Sequence, residues 1–167
     1  MKTKVTKDLE NKTLIIERSF EAPKEKVWRA YSEKAWFEKW WGPEGWETTT
    51  KQFEFTPGGR IHYCMKCLDK NQTEWYGKET WGRMDIEAIN EPNSFSAKDF
   101  FSDAEGVVNS ELPSTRFTVE LIEEGNQTRL VSKTYGESAE KIEELIKMGM
   151  VEGYDSQLNR LETMLKE

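Results

Sequence analysis

The chain has 167 residues, of which 36% are hydrophobic and 12% aromatic, and 24 basic against 31 acidic residues give a formal net charge of −7. This length predicts one domain with a substantial core, and the aromatic share predicts a core rich in rings. The acidic balance argues against nucleic-acid binding, because sequence-independent binding needs a basic face that displaces counterions.

The start of the chain, MKTKVTKDLENK, lacks the apolar run of a signal peptide. No stretch approaches the roughly 18 consecutive apolar residues expected of a membrane span. We therefore expect a cytoplasmic protein with no membrane span. Residues 1–12 are expected to form a polar N-terminal segment, and residues 13–167 a single domain.

The first third of that domain predicts a strand followed by two short helices. TLIIERSFEAP, residues 13–23, is typical of a strand that ends where Pro23 suits a helix start. The apolar residues of KEKVWRAYSE recur at helical spacing. A second short helix is predicted from Glu33 to Trp40, ended by Gly42–Pro43.

The stretch WFEKWWGPEGW, residues 36–46, contains four of the seven tryptophans. Such a cluster is compatible with a core, a pocket rim or a protein-docking face. We predict that Trp40 packs inward as core or pocket wall and that Trp41 fixes the turn. Trp36, which lies in a more polar context, is predicted to be partly exposed.

Strands are predicted from Trp46 onward. TTTKQFEF and IHYCMKCL flank the turn TPGGR and predict a hairpin. A longer strand is predicted from Glu74 to Ile89. Its apolar face shifts by one residue at Gly82, which predicts a β-bulge and a sharp bend there.

Three further strands and a helix complete the prediction. SFSAKDFF predicts a strand, residues 102–114 an irregular loop, and RFTVELIEE with TRLVSKTYG a hairpin. One long amphipathic helix is predicted from Ser138 to about Lys166. It contains Gly149 and Gly153, each costing about 1 kcal/mol relative to alanine. Their smooth surface would serve either close backbone packing or room for a guest molecule.

The predicted fold class is therefore α+β, with a curved antiparallel sheet of about six to seven strands around the C-terminal helix. An antiparallel sheet buries its apolar face against such a helix. A bent sheet that holds a long helix often leaves an elongated cavity, which is the usual place for a ligand.

The pair Cys64 and Cys67 forms a C-x-x-C with His62 close by. On a strand the two cysteines point to opposite faces, and zinc would want four ligands. We interpret them as reduced thiols and expect neither a metal nor a cofactor. His62 is expected on the face opposite Tyr63.

Three segments carry a resemblance to a known family: FEAPKEKVWRAYSEKAWFEKWWGPEGW, TPGGRIHYCM and GMVEGYDSQLNRLETML. They resemble, in order and over nearly the whole chain, the domain family named for homology to the activator of the heat-shock chaperone's ATPase. That family belongs to the START-like, or SRPBCC, helix-grip superfamily. Two features depart from it: Tyr154 stands where tryptophan is usual, and the loop 102–114 is longer than is common.

The resemblance implies a helix-grip fold and leaves the function open, because members of the superfamily bind lipids, hormones or polyketides, cyclise polyketides, or assist chaperones. Our first hypothesis is non-catalytic binding, carriage or sensing of a small hydrophobic or aromatic molecule, such as a lipid, polyphenol or polyketide. Aromatic rings supply a large apolar area with few rotors to freeze. The predicted ligand-binding residues are Trp40, Phe53, Phe55, Tyr63, Met65, Trp75, Glu79, Trp81, Met150 and Tyr154.

Two alternatives stay open. The first is a co-chaperone or other protein-interaction module, whose exposed tryptophans would anchor a partner. The second is a carboxylate-dependent cyclase or hydrolase acting in the same cavity. Acid–base catalysis uses paired or environment-shifted groups; Glu79 has no evident partner, and Asp85 and Asp99 are the candidates. A monomer and a homodimer are both compatible with the sequence.

Overall fold

A computed structural model describes residues 2–167 as a curved, fully antiparallel sheet with four helices. The eight strands lie in the order β1-β2-β8-β7-β6-β5-β4-β3. The strands are β1 (Lys4–Asp8), β2 (Thr13–Phe20), β3 (Trp46–Phe53), β4 (Arg60–Cys67), β5 (Glu79–Asn90), β6 (Ser94–Ser102), β7 (Thr115–Glu124) and β8 (Gln127–Tyr135). The helices are α1 (Lys24–Ser32), α2 (Lys34–Trp40), α3 (Ala139–Lys147) and α4 (Met150–Leu165).

This is the predicted α+β architecture, and it is consistent with a helix-grip fold, but the sheet has eight strands rather than six to seven. The additional strand is β1, which lies within the segment predicted to be polar. It pairs antiparallel with β2, with Val5 opposite Ile16. Its alternation is weak because its residues are mostly exposed. No helix within residues 2–167 is long and apolar enough to cross a membrane.

The prediction for β5 is wrong in two respects. The strand begins at Glu79, not Glu74, because the preceding residues form turns. Its inward face then keeps one phase through Gly82, Met84 and Ile86. The register shift lies between Ile86 and Ala88 rather than at Gly82. The inward face of β5 was misassigned because Trp81, although aromatic, lies on the outward face.

The predicted C-terminal helix is two helices, which is a second correction. Residues Met148 and Gly149 separate α3 from α4, and Gly149 has a φ of +91°, a conformation that favours glycine. The apolar stripe continues across the break because both helices face the sheet, so periodicity alone cannot reveal it. Helix α3 has an N-cap at its start: the Ser138 side chain accepts a hydrogen bond of 3.1 Å from the Lys141 backbone N–H.

The predicted burial of Trp40 and the predicted partial exposure of Trp36 are confirmed, and the role of Trp41 in fixing the turn stays a prediction. Trp40 is fully buried and donates its Nε1–H to the Ala30 carbonyl at 2.8 Å. Trp41 is buried and stacks on Phe37, with ring centroids 4.9 Å apart. Trp36 is half-buried beneath the guanidinium of Arg29. The cluster therefore joins α1 and α2 to the core and does not form an exposed aromatic face.

The two glycines near the helix break offer a matched test of the backbone. Gly149→Ala is expected to lower the free energy of unfolding by about 1–2 kcal/mol, because its left-handed conformation disfavours a side chain. Gly153→Ala, inside α4 with open space around an added Cβ, is expected to raise it by up to about 1 kcal/mol. Urea denaturation measures both. Equal effects of the two substitutions would contradict the break at Gly149.

Candidate functional site

A cavity of about 530 Å³ lies between the concave face of the sheet and the two C-terminal helices. Strands β4 to β8 contribute its floor, and the turn after α2 contributes one wall. Its exposed lining residues mark the mouth: Trp75, Phe101 and Met148 are 44%, 37% and 51% exposed. The mouth therefore lies between the turn before β5, the end of β6 and the α3–α4 break, with Pro113 of the long loop also lining the cavity.

Helix α4 is fixed above the sheet by polar contacts to the turn that follows α2. The Arg160 guanidinium donates to the carbonyls of Trp41 and Gly42 at 3.1 and 3.0 Å. Gln157 Oε1 accepts a hydrogen bond of 2.7 Å from the Gly42 backbone N–H. Because Trp41, Gly42 and Gln157 also line the cavity, these contacts set the separation of roof and wall.

Six of the ten predicted ligand-binding residues line the cavity and four do not. The six are Tyr63, Met65, Trp75, Trp81, Met150 and Tyr154. Their role in binding stays a prediction. Trp81 lies at the edge, since its ring packs on His62 with centroids 4.9 Å apart.

The four remaining residues lie outside the cavity for different reasons. Trp40 is fully buried in the core. Phe53 packs on Phe37 with centroids 5.5 Å apart, and Phe55 packs on Trp28 with centroids 5.6 Å apart. Glu79 is exposed and accepts a hydrogen bond from the Cys64 thiol at 3.4 Å, on the outward face.

Asp99 is the one charged residue that lines the cavity within the described part of the chain. Its Oδ1 accepts a hydrogen bond of 3.1 Å from the Tyr63 hydroxyl. Burial raises the pKa of Asp99 from 3.8 to about 7, although hydrogen bonds from Tyr63 and from the Phe100 backbone oppose the rise. Asp99 is therefore balanced between its neutral and charged forms near pH 7.

Several hydroxyl groups face the same space. Within residues 2–167 the buried Oγ1 of Thr80 and Oγ of Ser132 have no hydrogen-bond partner. Burial raises the pKa of Tyr154, and the neighbouring Tyr31 and Ser132 hydroxyls partly oppose that rise. Neither hydroxyl forms a hydrogen bond of good geometry with Tyr154. An unpaired buried polar group costs about 1–3 kcal/mol. Thr80 and Ser132 belong to the residues that line the cavity floor, whereas Tyr31 does not line the cavity.

Sequence reasoning missed the polar floor, although a signal for it existed. In SFSAKDFF, Asp99 follows Phe95 and Ala97 in phase, so a carboxylate occupies an inward position of the strand. Ser132 occupies an inward position of β8 in the same way. A polar residue at a strand position that otherwise faces the apolar core indicates a cavity with a polar lining. Asp85, the other acid considered, faces outward and pairs with Arg83 at 2.9 Å.

The C-x-x-C and histidine lie away from the cavity. Cys64 and Cys67 are both buried free thiols, and burial raises the pKa of Cys64 to about 12, which disfavours the reactive thiolate. His62 and Tyr63 lie on opposite faces of β4, as predicted, and His62 Nε2 is 3.0 Å from the Asp103 carbonyl oxygen. Across residues 2–167 no three His, Cys, Asp or Glu side chains cluster as metal ligands would.

Comparisons with known proteins agree with this fold. The family model described as Activator of Hsp90 ATPase homolog 1-like protein matches residues 21–166. The crystal structure of protein Ms6760 from Mycobacterium smegmatis is 32% identical with a TM-score of 0.86, covering 98% of this chain and 96% of that one. A solution structure from Arthrobacter aurescens is 30% identical with a TM-score of 0.89, covering 99% and 92%. No curated protein matches the chain.

A more distant structure shows the fold alone. The AHSA1 protein from Silicibacter pomeroyi is 20% identical with a TM-score of 0.72, covering 92% of this chain and 97% of that one.

The raised pKa of Asp99 predicts a pH-dependent effect on stability. In an acid whose folded pKa exceeds its unfolded value, the favourable contribution is complete below about pH 4 and is lost as pH rises through about 7. Asp99→Asn cannot ionise, so it should be more stable than the wild type at pH 8. The span from 3.8 to about 7 sets a maximum near 4 kcal/mol. Solvent that enters the cavity screens the charge of Asp99 and reduces this maximum, so we expect a gain in the free energy of unfolding of about 1–3 kcal/mol.

Urea denaturation at pH 5 and pH 8 measures this effect. The gain should shrink at pH 5, and Asp85→Asn, on the outward face, should show no such gain at pH 8. A difference between Asp99→Asn and wild type that is the same at both pH values would contradict the raised pKa.

Proposed function

The chain belongs to the Activator of Hsp90 ATPase homolog 1-like family, and we propose that it binds a small hydrophobic or aromatic molecule in the sheet–helix cavity without altering it chemically. The observation that carries the proposal is the cavity itself, with ring-lined walls and unpaired hydroxyls on its floor. Its volume of about 530 Å³ falls within the roughly 300–1,000 Å³ typical of small-molecule sites. Lipids, polyphenols and polyketide-like compounds are the candidate classes.

The walls suit a flat, apolar guest. Trp41, Tyr63, Phe117 and Tyr154 line the interior, and Trp75 lines the mouth. Rings provide large contact areas and offset-stacked or edge-to-face partners for a second ring. Rotation of the Thr80 and Ser132 side chains would bring their buried, unpaired hydroxyls to polar groups of the ligand, which offsets the desolvation of those groups. Binding therefore has both an apolar and a polar source of affinity.

The arrangement of acids favours binding over catalysis. Acid–base hydrolysis or cyclisation by carboxylates uses two such groups with different pKa values. Asp99 lines the cavity, whereas Asp85 and Glu79 lie on the outward face. One carboxylate with a tyrosine partner suits hydrogen-bond recognition of a ligand better than a two-acid reaction.

The co-chaperone alternative draws on the family description and has weaker support in the fold. An aromatic docking face would expose the tryptophans of residues 36–46, yet Trp40 and Trp41 are buried and Trp36 and Trp46 are half-buried. In the small-molecule proposal Trp40 belongs to the core and Trp41 lines the cavity. A cytoplasmic location is part of the same proposal.

A partly filled cavity should weaken binding. An added Cβ at Gly153, which lines the cavity, meets open space, so Gly153→Phe is expected to fill part of it. Wild type, titrated with fatty acids, polyphenols and polyketides, should show saturable tryptophan quenching by at least one class, with the ligand recovered unchanged by mass spectrometry. Gly153→Phe should weaken that affinity by about tenfold or more, equivalent to about 1.4 kcal/mol.

Glu152→Phe provides the matched control, because it places the same ring on an exposed position of the same helix. It should bind as wild type does. Equal binding by Gly153→Phe and Glu152→Phe, or no saturable response from any class, would contradict ligand binding in the cavity.

A further inference from the structure

The charges around the cavity are distributed asymmetrically. Asp99 is its single charged lining residue, and no lysine, arginine or histidine lines it within residues 2–167. The nearby basic side chains lie on the outward face: Arg83 pairs with Asp85 and Arg116 with Glu87, both at 2.9 Å. Lys98, one residue before Asp99, is exposed. The cavity therefore contains a potential negative charge without a protein counter-ion.

From this geometry we infer that the cavity selects an aromatic or apolar molecule that carries a protonated amine, with Asp99 as its counter-ion. This inference rests on the proposed binding function and names the ligand class for that same site. An ammonium group would form a charge-assisted hydrogen bond with Asp99, which is roughly twice as strong as a neutral one. A ligand carboxylate would instead place a second negative charge beside it, without a cation to receive it.

The rings that surround Asp99 favour the same ligand. Tyr63 donates its hydroxyl hydrogen bond to Asp99, and Tyr154 approaches from α4 closely enough for the charge of Asp99 to raise its pKa. Trp41 and Phe117 line the same interior. An ammonium group over the face of an aromatic ring gains about 0.5–2 kcal/mol. Carboxylate and rings together form a recognisable site for an organic cation.

The titratable groups that face Asp99 predict how binding depends on pH. They are Tyr63 from β4 and Tyr154 from α4, and the pKa of each is raised, so both hydroxyls stay neutral at ordinary pH. Its cross-strand neighbours Met84 and Thr115 do not titrate. Asp99, with a pKa of about 7, is thus the group that changes charge between pH 6 and pH 8. Affinity for an amine should fall as the pH is lowered through this range.

The test compares three probes of nearly the same shape: naphthylethylamine, naphthylethanol and naphthylacetate. Isothermal titration calorimetry at pH 8 should rank the amine first and the acetate last, with about tenfold or more between them. Asp99→Asn should remove the preference for the amine, so that the amine and the alcohol bind this variant with affinities within about threefold of each other. Asp85→Asn makes the same substitution on the outward face and should keep the preference. In the wild type, lowering the pH to 6 should weaken the affinity for the amine and leave the affinity for the alcohol unchanged. This part of the test requires no variant.

Four kinds of result would overturn the inference in distinguishable ways. Binding of the acetate as tightly as the amine would overturn the selectivity alone. A preference that persists in folded Asp99→Asn, or an amine affinity that is independent of pH, would overturn the role of Asp99. If none of the three probes bound while a lipid or polyphenol did, the ligand class would be wrong and the cavity function would stand. No binding by any compound would overturn both.

Discussion

The contact between Arg160 of α4 and the turn after α2 is the constraint on which the cavity depends. The last carbonyls of a helix lack partners within it, and Arg160 supplies donors to Lys39, Trp41 and Gly42 at 3.0–3.1 Å. A cation at a helix C-terminus is also favoured by the helix dipole. Gln157, one turn earlier, binds the same turn. Arg160 and Gln157 thus hold α4, which covers the cavity, at a fixed distance from the turn after α2 that forms one wall.

The space beneath α4 exists because the covering is incomplete. The break at Gly149 ends α3 before it can continue over the sheet as one rod, and Gly153 adds no side chain below. On the floor, Gly82 lies opposite Tyr63 in the ladder, and a Cβ there would collide with the Tyr63 ring. Glycine at this position lets the ring lie across β5 and direct its hydroxyl to Asp99 on β6. Small residues therefore create the volume and also position its polar group.

The sequence predicted the fold class, the order of most elements and the inward face of β4, because each has a strong local period. It failed on β5, since Trp81 is aromatic yet faces outward against His62, and on the helix break, since the apolar stripe continues through it. Asp99 stood in the apolar phase of its strand and was detectable locally. The hydrogen bond between Tyr63 and Asp99 was not predictable, because their contact spans two strand pairings and depends on Gly82.

The methionine methyl groups offer the most direct measurement of where a ligand binds. Met65, Met148 and Met150 line the cavity, whereas Met164 is buried near the end of α4 and does not line it. In a protein with carbon-13-labelled methionine methyls, titration with naphthylethylamine should shift the first three resonances saturably and leave Met164 in place. A shift confined to Met164, or shifts of equal size at all four methionines, would contradict binding in the sheet–helix cavity.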